Sequence, residues 1–358
     1  MANHSAEPAI GISSKTIRKG ISFFIFFTLI GTGIVIWWKT PYEFSVLIHK
    51  IDWFFIIGLV PLIALDYILG GFRYTIFFNS KILPHISFWN CIRANLANIF
   101  MGAATPFQTG GGAAQLYIFW RSGAKLSDSI LISLINFCAT LIFFLLASLV
   151  VLFILPSTLF LNQLVPLIQG SFIVVGSIIS LILLILLFPS TGTAIIRFII
   201  NLIPFRLLKL EKLRDRLLNT FTEEIQKFHQ NFTRIRRYNK GTLILTLIIT
   251  SVLFFNKYVI GFIIARALRQ VVPFGTFIGL QIINLFIIYF APTPGASGIA
   301  ELSSTWLMGK VMSSEILVYF ALLWRFFVTF LGAFIGGFIL LMDLNTGVKT
   351  PSMKRTVD

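Results

Sequence analysis

Apolar residues run along this chain in blocks too long to be one face of a soluble element. Residues 21–38, ISFFIFFTLIGTGIVIWW, and 171–188, SFIVVGSIISLILLILLF, carry no charge. Each approaches the roughly 20 residues a helix needs to cross a hydrocarbon core of about 30 Å. The pattern predicts full spans over about 20–38, 53–77, 128–155, 169–188, 241–264 and 315–342. Two more apolar regions, 86–122 and 274–309, are interrupted by GAATPFQTGGG (102–112) and APTPGASG (291–298). The arms on either side of each break run about 12–16 residues, too short to span alone. The expected fold is therefore all-α. It is a polytopic membrane protein of about six spans plus two re-entrant hairpins.

Composition agrees. The 358 residues are 57% hydrophobic and only 12% charged, with a mean hydropathy of +0.90. A soluble domain carries about 25% charge. The net charge of +16 does not imply nucleic acid, because it collects beside the spans. Residues 197–240 hold eleven Lys/Arg against four Asp/Glu, which places that loop in the cytoplasm by the positive-inside tendency. Lys15, Arg18 and Lys19 place the N-terminus there too, and Lys349, Lys354 and Arg355 the C-terminus. The uncharged connection 156–169 belongs outside. With this parity the two hairpins dip from opposite faces. The first apolar run follows a polar stretch and leads into WWKTPY rather than a small-residue cleavage site, so it is expected to stay. The organisation reads as a tail (1–19), a membrane domain (20–342) and a second tail (343–358). Within the domain, half one covers about 20–188, a basic segment 190–240, and half two 241–342. In the basic segment, 208–232 places Leu210, Leu213, Leu217, Phe221, Ile225, Phe228 and Phe232 at helical steps. That is an amphipathic helix, lying on the inner leaflet or packed under the bundle.

The two breaks share a motif. TPFQTG (105–110) and TPGASG (293–298) both read T-P-x-x-[ST]-G. Short, Gly/Pro-interrupted segments at corresponding places in an inverted repeat point to a transporter's binding site. Each break precedes a new helix, near Gly298 and within QTGGGAAQ (108–115), whose first N–H groups favour an anion. The second break also contains G-x-S-G around Ser297, the look of a serine nucleophile. Its activation needs a base. His4, His49, His85 and His229 all lie outside the apolar segments, and Lys310 is at a segment end. No enzymatic activity, metal or cofactor is expected. Cys91 and Cys138 read as small buried residues.

Charges at membrane depth are costly and so become functional candidates. Glu301 lies one turn past Gly298, and Arg325 deep in the last span. They are either a working pair or a structural salt bridge. Asn95, Asn98 and Gln108 line a polar cavity or bond backbone freed by the first break, and Arg93, two residues before Asn95, is a candidate to hold a phosphate. Asp66 and Arg73 share a face of the second span, and Arg73 has the reach to snorkel inward. Asn136 and Asn284 suit helix packing. Arg266 and Arg269 run against the charge bias of the outer face.

In order along the chain, GAATPFQTGGGAAQLYIFWRSG (102–123), PTPGASGIAE (292–301) and LLWR (322–325) resemble the flippase-like membrane domain of lysylphosphatidylglycerol synthases, over roughly residues 15–345. The resemblance implies roles for Thr105, Pro106, Gly110, Gly111, Gln115, Pro292, Pro294, Gly295, Gly298, Glu301 and Arg325. Gly112 stands where the family commonly carries Gln or Glu, so a substrate contact there is not carried over. The full synthases follow this domain with a soluble aminoacyl-transfer domain, and that chemistry is not expected in this sequence. The functional expectation is a translocator of an anionic phospholipid or lipid-linked phosphate in the plasma membrane. The site would be drawn from Arg93, Asn98, Thr105, Pro106, Gln108, Gly110, Gly111, Gln115, Pro294, Gly295, Ser297, Gly298, Glu301 and Arg325. An intramembrane lipid-phosphate transferase and an accessory subunit remain alternatives. Membrane lipids are the expected partners and nucleic acid is not; self-association is left open.

Overall fold

A computed structural model describes residues 51–345, apart from residues 81 and 239 and the segments 156–163 and 203–210, together with positions 22, 26, 30 and 33. The first predicted span and both tails therefore lie outside the described residues, apart from those four positions. Every regular element among the described residues is helical. In chain order they are α1 (Trp53–Thr75), α2 (Phe88–Ala104), α3 (Thr109–Arg121), α4 (Leu126–Ile154), α5 (Leu164–Leu187) and α6 (Pro189–Leu202). There follow α7 (Glu211–Tyr238), α8 (Lys240–Ala267), α9 (Phe274–Tyr289), α10 (Ile299–Met308), α11 (Leu317–Arg325) and α12 (Leu331–Asn345). Among the described residues, Trp53–Thr75, Leu126–Val151, Lys240–Ala267 and Leu317–Asp343 are long and apolar enough to cross a membrane.

The contacts group the chain into two compact units. One comprises residues up to 72, 86–123 and 253–358 and contains both interrupted regions. Each of these forms a helical hairpin: α2 packs along α3, and α9 along α10. α2 starts at Ser87, whose hydroxyl accepts the Asn90 N–H at 3.3 Å, and stops at Thr105 because the residue before a proline avoids the helical region. α11 and α12 are joined through a π turn at Phe326–Phe330, making one continuous rod. α2 lies against that rod at a row of glycines. A Cβ on Gly336 would fall 2.0 Å from the Leu96 carbonyl oxygen, and one on Gly337 3.1 Å from the Phe100 ring. Small residues let two helix backbones approach closely where lipid supplies no hydrophobic drive.

The other unit comprises residues 73–85 and 124–252. Its long apolar helix α4 satisfies its hydroxyls internally: Ser133, Thr140 and Ser148 each donate to the carbonyl four residues back. A hydroxyl bonded to its own helix in this way can be carried into apolar surroundings at low cost. From Glu211 the amphipathic helix expected over 208–232 is present as α7 and runs on to Tyr238, positions 208–210 lying outside the described residues. It packs on α4, α5 and α6, with Ile225, Phe232 and Ile235 buried and Asn231 donating to Asp128 at 2.7 Å. One face of α7 is thus covered by neighbouring helices, as the packed reading of this segment expects. Arg73 does not snorkel. It is buried and donates to the Asn136 side chain (3.0 Å) and carbonyl (2.7 Å) and to Thr140 (3.0 Å). A guanidinium within reach of three acceptors is better satisfied there than at a distant interface.

Gly336→Ala should lower the unfolding free energy of detergent-solubilised protein by about 1–3 kcal/mol, the usual cost of overpacking a close contact. Gly58→Ala, where an added Cβ meets nothing within 4 Å, should leave the thermal midpoint unchanged or slightly raised.

Candidate functional site

The two T-P-x-x-[ST]-G motifs fold into the same turn. Thr105 and Thr293 are both extended (φ −127, ψ 148 and φ −86, ψ 149), and each leads into a 3-10 turn that opens on proline. The third and fourth motif positions are left-handed in both: Phe107 (φ 51) and Gln108 (φ 55), Gly295 (φ 56) and Ala296 (φ 57). Gln108 N–H reaches the Thr105 carbonyl at 3.3 Å, as Ala296 N–H reaches Thr293 at 2.9 Å. A left-handed residue other than glycine costs about 1–2 kcal/mol, so the first tip holds two strained positions and the second only one.

Side chains close each tip. At the first, the Thr105 hydroxyl accepts the Gly110 N–H at 2.8 Å and donates to the Met101 carbonyl at 2.7 Å. Across its arms, Asn98 donates to Gln115 at 2.8 Å. Gly110 and Gly111 permit this closeness; a Cβ would sit 2.7 Å from Thr105 Cγ2 or from the Asn98 carbonyl oxygen, respectively. Pro106, Phe107, Gln108 and Thr109 are exposed at the apex. At the second tip, Glu301 Oε2 accepts the Gly298 N–H at 2.7 Å, and Thr293 donates to the Ser297 carbonyl at 3.0 Å. Ser297 itself is buried. The first-turn amides of Gly110 and Gly298, expected to await an anion, are thus met by the protein's own oxygens.

The tips touch. A Cβ on Gly295 would lie 2.7 Å from the Ala103 carbonyl oxygen, so the second tip sits directly on the backbone at the end of α2. Arg325 anchors it from the rod: Nη2 donates to the Gly295 carbonyl at 2.6 Å, and Nε lies 3.3 Å from Glu301 Oε1. Both side chains of this pair are 1% exposed, and the guanidinium also lies 4.9 Å from the Phe330 ring, in the π turn. This is a sealed ion pair that supports a strained turn.

The hairpin mouths lie at opposite ends of the rod. Gly309, just past α10, approaches Leu317 at the start of α11. Arg93 on α2 and Arg121 at the end of α3 instead reach Asp343 near the end of α12, Arg93 its carboxylate and Arg121 its carbonyl. The 27 residues from Leu317 to Asp343 correspond to about 40 Å of helix. A cavity of about 390 Å3 opens at the first mouth, lined by Asn90, Arg93, Ile118, Arg121, Ser122, Met342 and Asp343. The Arg93 side chain is 29% exposed. Among the described lining residues two guanidiniums face one carboxylate, a donor set that suits a phosphate.

Of the residues expected at the site, Thr105, Asn98, Gly110, Gly111 and Gln115 build the first tip, and Pro294, Gly295, Ser297, Gly298, Glu301 and Arg325 the second. Pro106 and Gln108 lie at the exposed apex. Arg93 joins the mouth instead. Sequence reasoning missed Arg121 and Asp343 there; the signal available was two arginines and an aspartate, each at the end of an apolar helix. It also missed Lys257, which pairs with Asp66 at 2.7 Å. A lysine inside the apolar run of α8 was the legible clue.

These features define a polytopic helical membrane protein built on two tip-to-tip hairpins. Residues 21–336 match the family model described as the lysylphosphatidylglycerol synthase TM region, and the chain belongs to that family. No curated protein gives a significant sequence match.

Arg325→Ala leaves Glu301 charged and buried, which should cost about 3–5 kcal/mol and lower the yield of folded protein. Glu301→Gln keeps an oxygen for Gly298 and should cost less. The double variant Glu301→Gln/Arg325→Met should lose less stability than the two single losses added together, measured by thermal unfolding in detergent.

Proposed function

We propose that this protein moves an anionic phospholipid or lipid-linked phosphate between the leaflets of the plasma membrane without changing it chemically. The observation that carries this reading is the meeting of two like tips whose mouths open at opposite ends of one rod. Set in a bilayer, with both termini in the cytoplasm, the hairpins become re-entrant and related by an inverted repeat. Irregular backbone at membrane depth is tolerated where it is buried in protein or lines a cavity, and alternating access rocks elements about such a centre. The first mouth receives the headgroup phosphate through Arg93 and Arg121, while Asp343 holds the two arginines ready when no lipid is bound. The acyl chains have an apolar flank in the exposed Phe334, Phe338 and Met342, spaced one turn apart along α12. The family's name, the lysylphosphatidylglycerol synthase TM region, makes phosphatidylglycerol and its derivatives the first lipids to test.

Reconstituted in phosphatidylcholine vesicles, the protein should exchange labelled phosphatidylglycerol between leaflets with no covalent change. An altered lipid points to a transferase, and no effect of either kind to an accessory subunit. Arg93→Ala/Arg121→Ala should slow the movement at least about tenfold, the loss of one charge-assisted hydrogen bond being worth about 1.5–3 kcal/mol. Cysteines replacing the exposed Trp89, at the first mouth, and Lys310, at the second, should label from opposite sides of the membrane; labelling from one side overturns the topology.

A further inference from the structure

The phosphate seat at the first mouth is already occupied by a carboxylate of the chain itself. Asp343, near the end of α12, presents Oδ1 to Arg93 Nη2, and its backbone carbonyl accepts from Arg121. Its side chain is 10% exposed, against 29% for Arg93. Carboxylate and phosphate oxygens fit the same guanidinium fork. A phosphate that takes Arg93 Nη2 therefore has to displace Asp343, and any anion in the cavity meets its like charge.

The charge of Asp343 is not needed to place the arginines. Arg121 bonds the backbone carbonyl at 343, which any residue supplies. The Arg93 bond goes to an oxygen that an amide would supply as well, and Asn90 Oδ1 lies 3.4 Å from Arg93 Nη1. A neutral acceptor would hold the mouth in the same shape. The negative charge has a separate consequence: it weakens the binding of every anion that enters.

The way in differs for two kinds of phosphate. Phe334, Phe338 and Met342 are exposed along α12, and Met342 also lines the cavity beside Asp343. Ile118 lines it from α3. In a bilayer this row runs through acyl chains and ends at the mouth. A phosphate carried on such chains stays in the membrane beside the mouth, at a high effective concentration. A free phosphate ester arrives from dilute solution. With the C-terminus in the cytoplasm, as proposed above, the mouth faces a compartment that holds many such esters.

We propose that Asp343 is a specificity-determining residue, an internal anion that keeps soluble phosphate esters out of the mouth and yields to a phosphate tethered in the membrane. The proposal rests on the lipid-moving reading above and names what selects the cargo at that same site. No covalent bond changes; one ion pair is exchanged for another. Asp343 weakens tethered and free phosphates by a similar factor. The tethered one tolerates the loss because its effective concentration is high, and the free one falls below the level at which it binds. The displaced carboxylate has the open cavity beside it and regains water there.

The test uses the full chain in phosphatidylcholine nanodiscs. The probes are labelled phosphatidylglycerol in the disc and glycerophosphoglycerol in solution, the same headgroup without its chains. The unaltered protein should bind the lipid. Calorimetric titration with glycerophosphoglycerol should give a Kd at least about tenfold tighter for Asp343→Asn than for the unaltered protein. Asp343→Glu, which restores the charge, should return it to the weak value, and Arg93→Gln/Asp343→Asn should lose the gain. Thermal midpoints identify folded variants, and Asp343→Ser, also uncharged, replaces Asp343→Asn if that protein does not fold. Equal affinity in the unaltered and uncharged proteins overturns the proposal, as does a gain that survives in Asp343→Glu or in Arg93→Gln/Asp343→Asn. Transport is then read in vesicles. If the soluble diester gains access but no lipid moves between leaflets, the exclusion stands and the lipid-moving reading falls. If lipid moves and the gain is absent, the reading stands and the exclusion falls. An unaltered protein that binds no phosphatidylglycerol overturns both.

Discussion

Two stretches of non-helical backbone meet inside one compact unit, and their peptide groups have to find partners within the protein. The rest of the site follows from that requirement. The Gly295 carbonyl is met by Arg325, the Gly298 N–H by Glu301, and the Gly110 N–H by Thr105. A charged donor at the heart of a membrane protein is tolerated because it resolves two problems at once: it satisfies a tip carbonyl and it neutralises the carboxylate that caps the next helix. Removing it exposes both, and their penalties are larger than the net worth of the pair.

The remaining charges divide by their access to solvent. The Arg325–Glu301 pair is sealed, which suits a fixed support. Arg93 at the mouth is 29% exposed beside an open cavity, so its charge keeps part of its hydration. The Asp66–Lys257 pair lies between these extremes. Its side chains are 7% and 15% exposed, and it joins α1 to α8 at 2.7 Å. One physical scale, the cost of stripping water from a charge, thus separates a sealed pair, a nearly sealed pair and a part-exposed one.

Much of this was legible in the sequence. Apolar run length gave the helices, proline and glycine the breaks, and the six-residue match the two tips; the turns agree down to the left-handed third and fourth residues. Local chemistry reads well because a turn depends on a few adjacent residues. Pairing reads poorly. Asp66 and Arg73 share a helix face, yet each bonds to a different helix, with Lys257 and with Asn136. Arg93 was placed with the tip, and the rod's far end claims it instead. Arg121 and Asp343 attract no notice in a linear reading, because charges at helix ends usually face solvent.

The order of apolar and broken segments, taken alone, determined that the chain lives in a membrane as helices and that two of its hairpins end in matching turns. These are consequences of short-range sterics and of the cost of carrying backbone and charge into hydrocarbon. Which hairpin tip touches which backbone, which arginine serves as support and which lines an open pocket were decided only by tertiary packing. Those assignments turn on close approaches at Gly295 and Gly336 between segments distant along the chain, and the burial of a charge exists only once its neighbours are in place.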